Sequence, residues 1–285
     1  MKDVYTALIT PFKKDLSIDY EALDRMSDKL INEGERNFVL LGTTAECSLL
    51  KETEKMNIVK HFCHRNKNVN VIVGVCSNNT VEVIRQIEMM SMLKNIKAFL
   101  VVVPYYLNPN QKGIFKHFDM ICSSTDRSIM IYDIPKRTNV SIDVNTVVLL
   151  KKKHSHIIGI KLCGCINKVR ELKTIDHFLV YMGDDNLLLE GLKEGADGVI
   201  SVCSHIDYQL VSDVCEYQKV EDDCKLKKLS YKVFIEPSPS PIKYILSQLG
   251  YIENKVRSPY VIIDNDHRAV LDRVVEFYKK DLKHM

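Results

Sequence analysis

Eight short apolar runs recur about every 28 residues, with amphipathic helical patterns between them, and together they predict an α/β protein. The count matches a TIM (β/α)8 barrel, expected over 1–217 as the catalytic unit, with a C-terminal helical subdomain over 218–285. A third observation separates the barrel from an open doubly wound sheet. The turn after the first run, Thr10-Pro11-Phe12, has no glycine, and neither GxGxxG nor GxxxxGK[ST] occurs in the chain.

The elements follow in order. Strand-like runs lie at 4–9, 38–41, 69–75, 98–103, 129–132, 157–161, 178–182 and 198–202. Most are continuously apolar, as in strands buried on both faces of a parallel sheet. Between the first two, Leu23, Met26, Leu30 and Ile31 fall on one face of a helix over 19–33, and Gly34 stands as its stop. Similar spacing predicts helices over 53–63 and 80–93, the second capped by Thr80 with Glu82 in its first turn. Beyond residue 218 the pattern is helical, at 244–249 and 269–280.

Composition narrows the function. Of 285 residues, 40 are Lys or Arg and 37 are Asp or Glu, a net charge of +3 without the concentrated basic excess of nucleic-acid or membrane-surface binders. No run approaches the ~18 apolar residues that span a bilayer, and the N-terminus lacks a signal-peptide core. Nine scattered cysteines without a Cys-x-x-Cys pair read as reduced thiols, so the expected compartment is the cytoplasm.

In a barrel, chemistry gathers where strands end at their C-terminal edge. Those ends read Gly42-Thr43-Thr44-Ala45-Glu46, Pro104-Tyr105-Tyr106, Tyr132-Asp133-Ile134-Pro135-Lys136-Arg137-Thr138 and Gly159-Ile160-Lys161. Lys161 is the informative residue. A lysine is ordinarily a solvated surface group, but this one closes an apolar strand and should point into the barrel mouth. In low dielectric an amine loses its proton more readily, and a neutral amine attacks carbonyls. Gly159, two residues earlier, is expected to leave room beside it.

With Thr6-Ala7-Leu8-Ile9-Thr10-Pro11-Phe12, these motifs resemble those of the pyruvate-dependent Schiff-base lyases, the N-acetylneuraminate lyase superfamily. Within it the resemblance is closest to the dihydrodipicolinate synthases of lysine and diaminopimelate biosynthesis, in register from residue 4 to about 203. It implies condensation of pyruvate with L-aspartate 4-semialdehyde through a covalent lysine imine, with no cofactor and no metal. Lys161 would form the imine. Tyr132 would shuttle protons in a relay with Thr43 and Tyr106, the latter reaching in from a neighbouring subunit of a homodimer or homotetramer. Thr44 would hold the pyruvate carboxylate, the Ile200 carbonyl would line the pocket, and Arg137 would bind the aldehyde substrate's carboxylate.

Three departures from the family pattern stand out: Ala45 and Asn139 where glycine is usual, and Leu162-Cys163-Gly164-Cys165 after the lysine. Asn78, Glu82 and Tyr105 match a lysine-binding allosteric cleft of inhibited relatives. Glu52 and Lys55 replace histidines there, so weak or absent feedback is expected. Two other functions compete. One is a sugar-acid aldolase such as N-acetylneuraminate lyase, against which Arg137 and Thr43-Thr44 argue; the other is a catalytically degenerate barrel. His61 and His64 read as a solvated helix face, since no further ligands are spaced to join them in a metal site. Asp184-Asp185 reads as a helix N-cap, Cys163 and Cys165 as packed thiols, and Lys151-Lys152-Lys153 as a helix C-terminus.

Overall fold

The computed structural model describes residues 2–282. Eight parallel strands close on themselves in chain order: β1 Asp3–Ala7, β2 Asn37–Leu40, β3 Asn70–Val75, β4 Ile96–Val102, β5 Ile129–Asp133, β6 Ile157–Leu162, β7 Leu179–Met182 and β8 Gly198–Ser201. The last strand pairs with the first, Asp3 against Gly198 and Thr6 against Ser201. Each strand lies within two residues of its predicted run. The barrel interior and the layer beneath the helices are filled by buried Val, Ile, Leu and Phe, which is why the strands read as apolar throughout.

The helices are α1 Tyr20–Asn32, α2 Glu52–Arg65, α3 Thr80–Ser91, α4 Gln111–Ser123, α5 Pro135–Thr138, α6 Val144–Lys153, α7 Val169–Leu172, α8 Leu188–Lys193 and α9 Tyr208–Tyr217 around the barrel. The C-terminal region adds α10 Val220–Val233, α11 Ser240–Gln248 and α12 Asn265–Leu282. Helix α1 ends as its glycine predicts. Gly34 sits at φ +108°, and the N–H groups of Gly34 and Glu35 return to the carbonyls of Ile31 and Leu30. Among the described residues no helix is long and apolar enough to cross a membrane.

Two local expectations are corrected. Asn79, not Thr80, caps α3: its side chain accepts from the N–H groups of Val81 and Glu82, while the Thr80 hydroxyl meets His117 Nδ1 at 2.9 Å. Asp184 and Asp185 do not cap a helix. Asp184 accepts from the Gly164 N–H at 2.6 Å, and Asp185 accepts from the Ser201 hydroxyl and the Val202 and Cys203 N–H groups. The two acids therefore tie the loop after β7 to the ends of β6 and β8.

Candidate active site

Strands β5 and β6 are neighbours in the barrel, and their register sets Tyr132 directly beside Lys161. Lys161 is only 7% exposed, with its amine 4.7 Å from the centre of the Tyr132 ring. The phenol is buried, and that burial pushes it well above its ordinary range, the Cys163 thiol adding to the rise. The Thr43 hydroxyl beside it and the Arg137 guanidinium pull the other way. A neutral phenol next to an amine and a hydroxyl can accept and return protons as bonds to nitrogen form and break.

The glycine that makes room for the lysine is not Gly159. A Cβ on Gly159 would meet the Leu179 carbonyl oxygen at 2.3 Å, so that glycine lets β7 approach β6. Gly183, just past β7, is the one beside the amine's stem: a Cβ there would lie 2.8 Å from Lys161 Cε and 2.3 Å from Cys163 Sγ. Cys163 itself is buried, and its thiol is pushed up to about 12, chiefly by burial, so it stays protonated and inert.

The turn after β2 carries the threonines. Residues 43–45 form a single 3-10 turn with Thr44 buried. Ala45 takes no positive φ, so a side chain there is no obstacle; the left-handed residue is Glu46, at φ +56°. Asn139, at φ +59°, fills its glycine-like position as asparagine does well. Arg137 lies exposed on α5 with its guanidinium 3.4 Å from the Ser238 carbonyl oxygen. The segment holding it is anchored by buried Asp133, which accepts from Lys168 at 3.0 Å, the Ser141 hydroxyl at 2.6 Å and the Ile142 N–H. Ile200 is fully buried on β8.

Lys161, Tyr132 and Thr43 thus come together at one end of the barrel, with Thr44 in the adjoining turn. Tyr106 is not gathered in. It stands 88% exposed at φ +70° on the loop after β4. Asn78 donates to the Tyr105 carbonyl at 3.1 Å, which joins two of the three allosteric candidates. Glu82 is held by Arg85 at 2.9 Å and by Gln86, and Glu52 pairs with the same arginine. His61 Nε2 donates to the Asp24 carboxylate at 2.8 Å, and the described residues contain no group of three or more metal-ligating side chains. Sequence reading missed Gly183, Lys168 and the partners of Glu46. Only Gly183 carried a local signal, a scarce glycine directly after a strand.

A profile of the dihydrodipicolinate synthetase family matches residues 1–277. The chain belongs to that family. The 4-hydroxy-tetrahydrodipicolinate synthase of Leuconostoc citreum is 34% identical over 285 residues, covering 96% of this chain and 98% of that protein. Among solved structures, the 4-hydroxy-tetrahydrodipicolinate synthase of Methylacidiphilum fumariolicum superposes with a TM-score of 0.92 at 31% identity, over 100% of this chain and 98% of the other. The dihydrodipicolinate synthase of Acinetobacter baumannii, solved with pyruvate, gives 0.92 at 29% identity over 98% and 99% of the two chains. Family membership therefore extends beyond the barrel into the C-terminal helices, and the sugar-acid aldolase reading is not favoured.

Proposed function

We propose that this chain is a 4-hydroxy-tetrahydrodipicolinate synthase, a cytoplasmic lyase of lysine and diaminopimelate biosynthesis that condenses pyruvate with L-aspartate 4-semialdehyde on Lys161. The observation that carries the reading is the buried amine of Lys161 against Tyr132 at the open end of a family-matched barrel. The amine adds to C2 of pyruvate, and water leaves as the imine forms. Loss of a methyl proton gives the enamine, which makes a carbon–carbon bond to the aldehyde. The amino group of the adduct then attacks the imine carbon, closes the ring and releases Lys161.

Tyr132 lies where it can carry protons to and from the departing oxygen, with the Thr43 hydroxyl as the next member of the relay. Thr44 and the backbone of its turn suit the carboxylate of pyruvate, and Ile200 suits the pocket wall. Arg137, on the exposed lip, suits the carboxylate of the second substrate through a bidentate fork. No cofactor or metal is required in this scheme. Tyr106, so exposed in one chain, suits a relay completed across an interface, and we assign the working form to a homodimer or a dimer of dimers. Domain boundaries at 217 and 218 suit the left-handed Gln218 between α9 and α10.

Borohydride reduction in the presence of pyruvate tests the assignment. The adduct should sit on the peptide containing Lys161; an adduct on another lysine, or none, sinks it. Arg137→Ala should still trap pyruvate but lose about 30- to 1000-fold in synthase turnover, as expected for a bidentate pair worth about 2–4 kcal/mol. Equal loss of trapping would refute that division of labour.

A further inference from the structure

The turn that carries Thr43 and Thr44 ends on a residue in an unfavourable conformation. Glu46 is left-handed at φ +56°, ψ +34°, where a side chain crowds the backbone. Such a residue persists only where its surroundings over-determine it. Here both carboxylate oxygens are claimed by the C-terminal region. Oε1 accepts from Lys243 Nζ at 2.5 Å and Oε2 from the Arg257 N–H at 2.8 Å. Both members of the Lys243–Glu46 pair have side chains with no solvent exposure.

The lysine is itself fixed from three sides. Its amine also donates to the Lys255 carbonyl at 3.0 Å and lies 4.0 Å from the centre of the Phe12 ring, two residues after Thr10. The Arg257 guanidinium covers the same ring at 4.5 Å, grips Glu54 at the start of α2 through two bonds of 2.6 and 2.7 Å, and donates to the Leu49 carbonyl. A helix outside the barrel therefore holds the turn from its far side, three residues from Thr43 and two from Thr44.

We infer that Lys243 is a positioning residue for pyruvate: through Glu46 it sets the Thr43–Thr44 turn at the angle that receives the substrate's carboxylate. The inference rests on the synthase reading above. It assigns α11 a part in substrate affinity although no atom of that helix belongs to the reacting group. Small displacements of a binding turn are enough to cost orders of magnitude in productive binding.

The test replaces the pair by a neutral one of similar shape, Glu46→Gln with Lys243→Met, so that no unpaired charge is left buried. Circular dichroism checks the fold, borohydride trapping against pyruvate concentration reads imine formation, and steady-state rates give the two KM values and kcat. The expected result is a half-saturating pyruvate concentration at least tenfold higher, with the aldehyde's KM moved less than threefold and any fall in kcat, through Thr43 on the same turn, smaller than the rise in the pyruvate concentration needed. Glu46→Gln alone, which keeps an acceptor for only one of the two donors and removes the charge facing Lys243, should also raise that concentration at least threefold and serves if the double variant does not fold. A folded variant that traps pyruvate with the native concentration dependence would overturn the positioning role and leave the synthase reading standing. Failure of the unaltered protein to trap pyruvate would overturn both.

Discussion

Replacing Glu35 by glutamine should stabilise the protein above neutral pH and leave its chemistry alone. Glu35 is buried just before β2, at the opposite end of the barrel from Lys161. Its Oε2 accepts from the Thr6 hydroxyl at 2.7 Å, and its Oε1 accepts from the N–H groups of Arg36 and Asn37 at 2.8 and 2.9 Å. Burial outweighs those bonds and raises the carboxyl from an ordinary 4.5 to about 7. Below the lower value both folded and unfolded chains carry the proton. Between the two, the unfolded chain releases it and the folded chain keeps it, so stability falls as pH rises through that window and stays low above it.

At 1.36 kcal/mol per unit the penalty at pH 8 reaches about 3 kcal/mol. The amide forgoes the charge-assisted bonds from the two N–H groups, so Glu35→Gln should recover about 2 kcal/mol of it. In a protein of this size that corresponds to roughly 4–8 °C in Tm. Buried His117 and His205, both pushed down to about 4, bend the pH curve in the opposite sense but equally in the two proteins, and cancel in the difference. Urea unfolding followed by circular dichroism at pH 5, 6, 7 and 8 is the assay. The difference between variant and parent should be small at pH 5 and grow to pH 8. A difference flat with pH, or a variant less stable than its parent at pH 8, would refute the reasoning.

Gly183→Ala should cost about 1–3 kcal/mol of stability by overpacking, and cut borohydride trapping at least tenfold by displacing Lys161. Adding Cys163→Ala should restore stability but not trapping; recovery of both would place the harm on the thiol alone. Lysine should inhibit weakly or not at all, because Glu82 and Glu52 are already engaged by Arg85 and Lys55 adds a buried cation close by. Synthase rates that fall at micromolar lysine would count against this. Light scattering should find an assembly larger than one chain, and a fully active monomer would contradict the role given to Tyr106.

Much of this architecture is written locally. Strands buried on both faces leave unbroken apolar runs, and the rule that chemistry sits at strand ends then picks out Lys161, Tyr132 and the Thr43–Thr44 turn without a structure. What is not local could not be read. Asn79 and Thr80 are both good caps, and only the backbone decides between them. Gly159 and Gly183 could each have made room for the amine; the stagger between β6 and β7 chooses, and stagger leaves no mark in the string of residues. Lys243 lies among Ile242, Tyr244, Ile245 and Leu246, a cation at a position flanked by apolar residues, but nothing near it names Glu46 as its partner.

The clamp on Glu46 also orders events in time. Lys243 is 197 residues further along the chain, and Arg257 lies beyond it. At ~5–20 residues per second on the ribosome, roughly 10–40 s pass between synthesis of the turn and arrival of its cation. Throughout that interval Glu46 must stay hydrated, because a carboxylate sealed away alone is prohibitively expensive. The clamp on the substrate-binding turn is therefore among the last contacts the nascent protein can make, available only once the chain well beyond β8 has been synthesised. Truncation of the chain from residue 240 onward would remove both donors and leave the Glu46 carboxylate without its clamp.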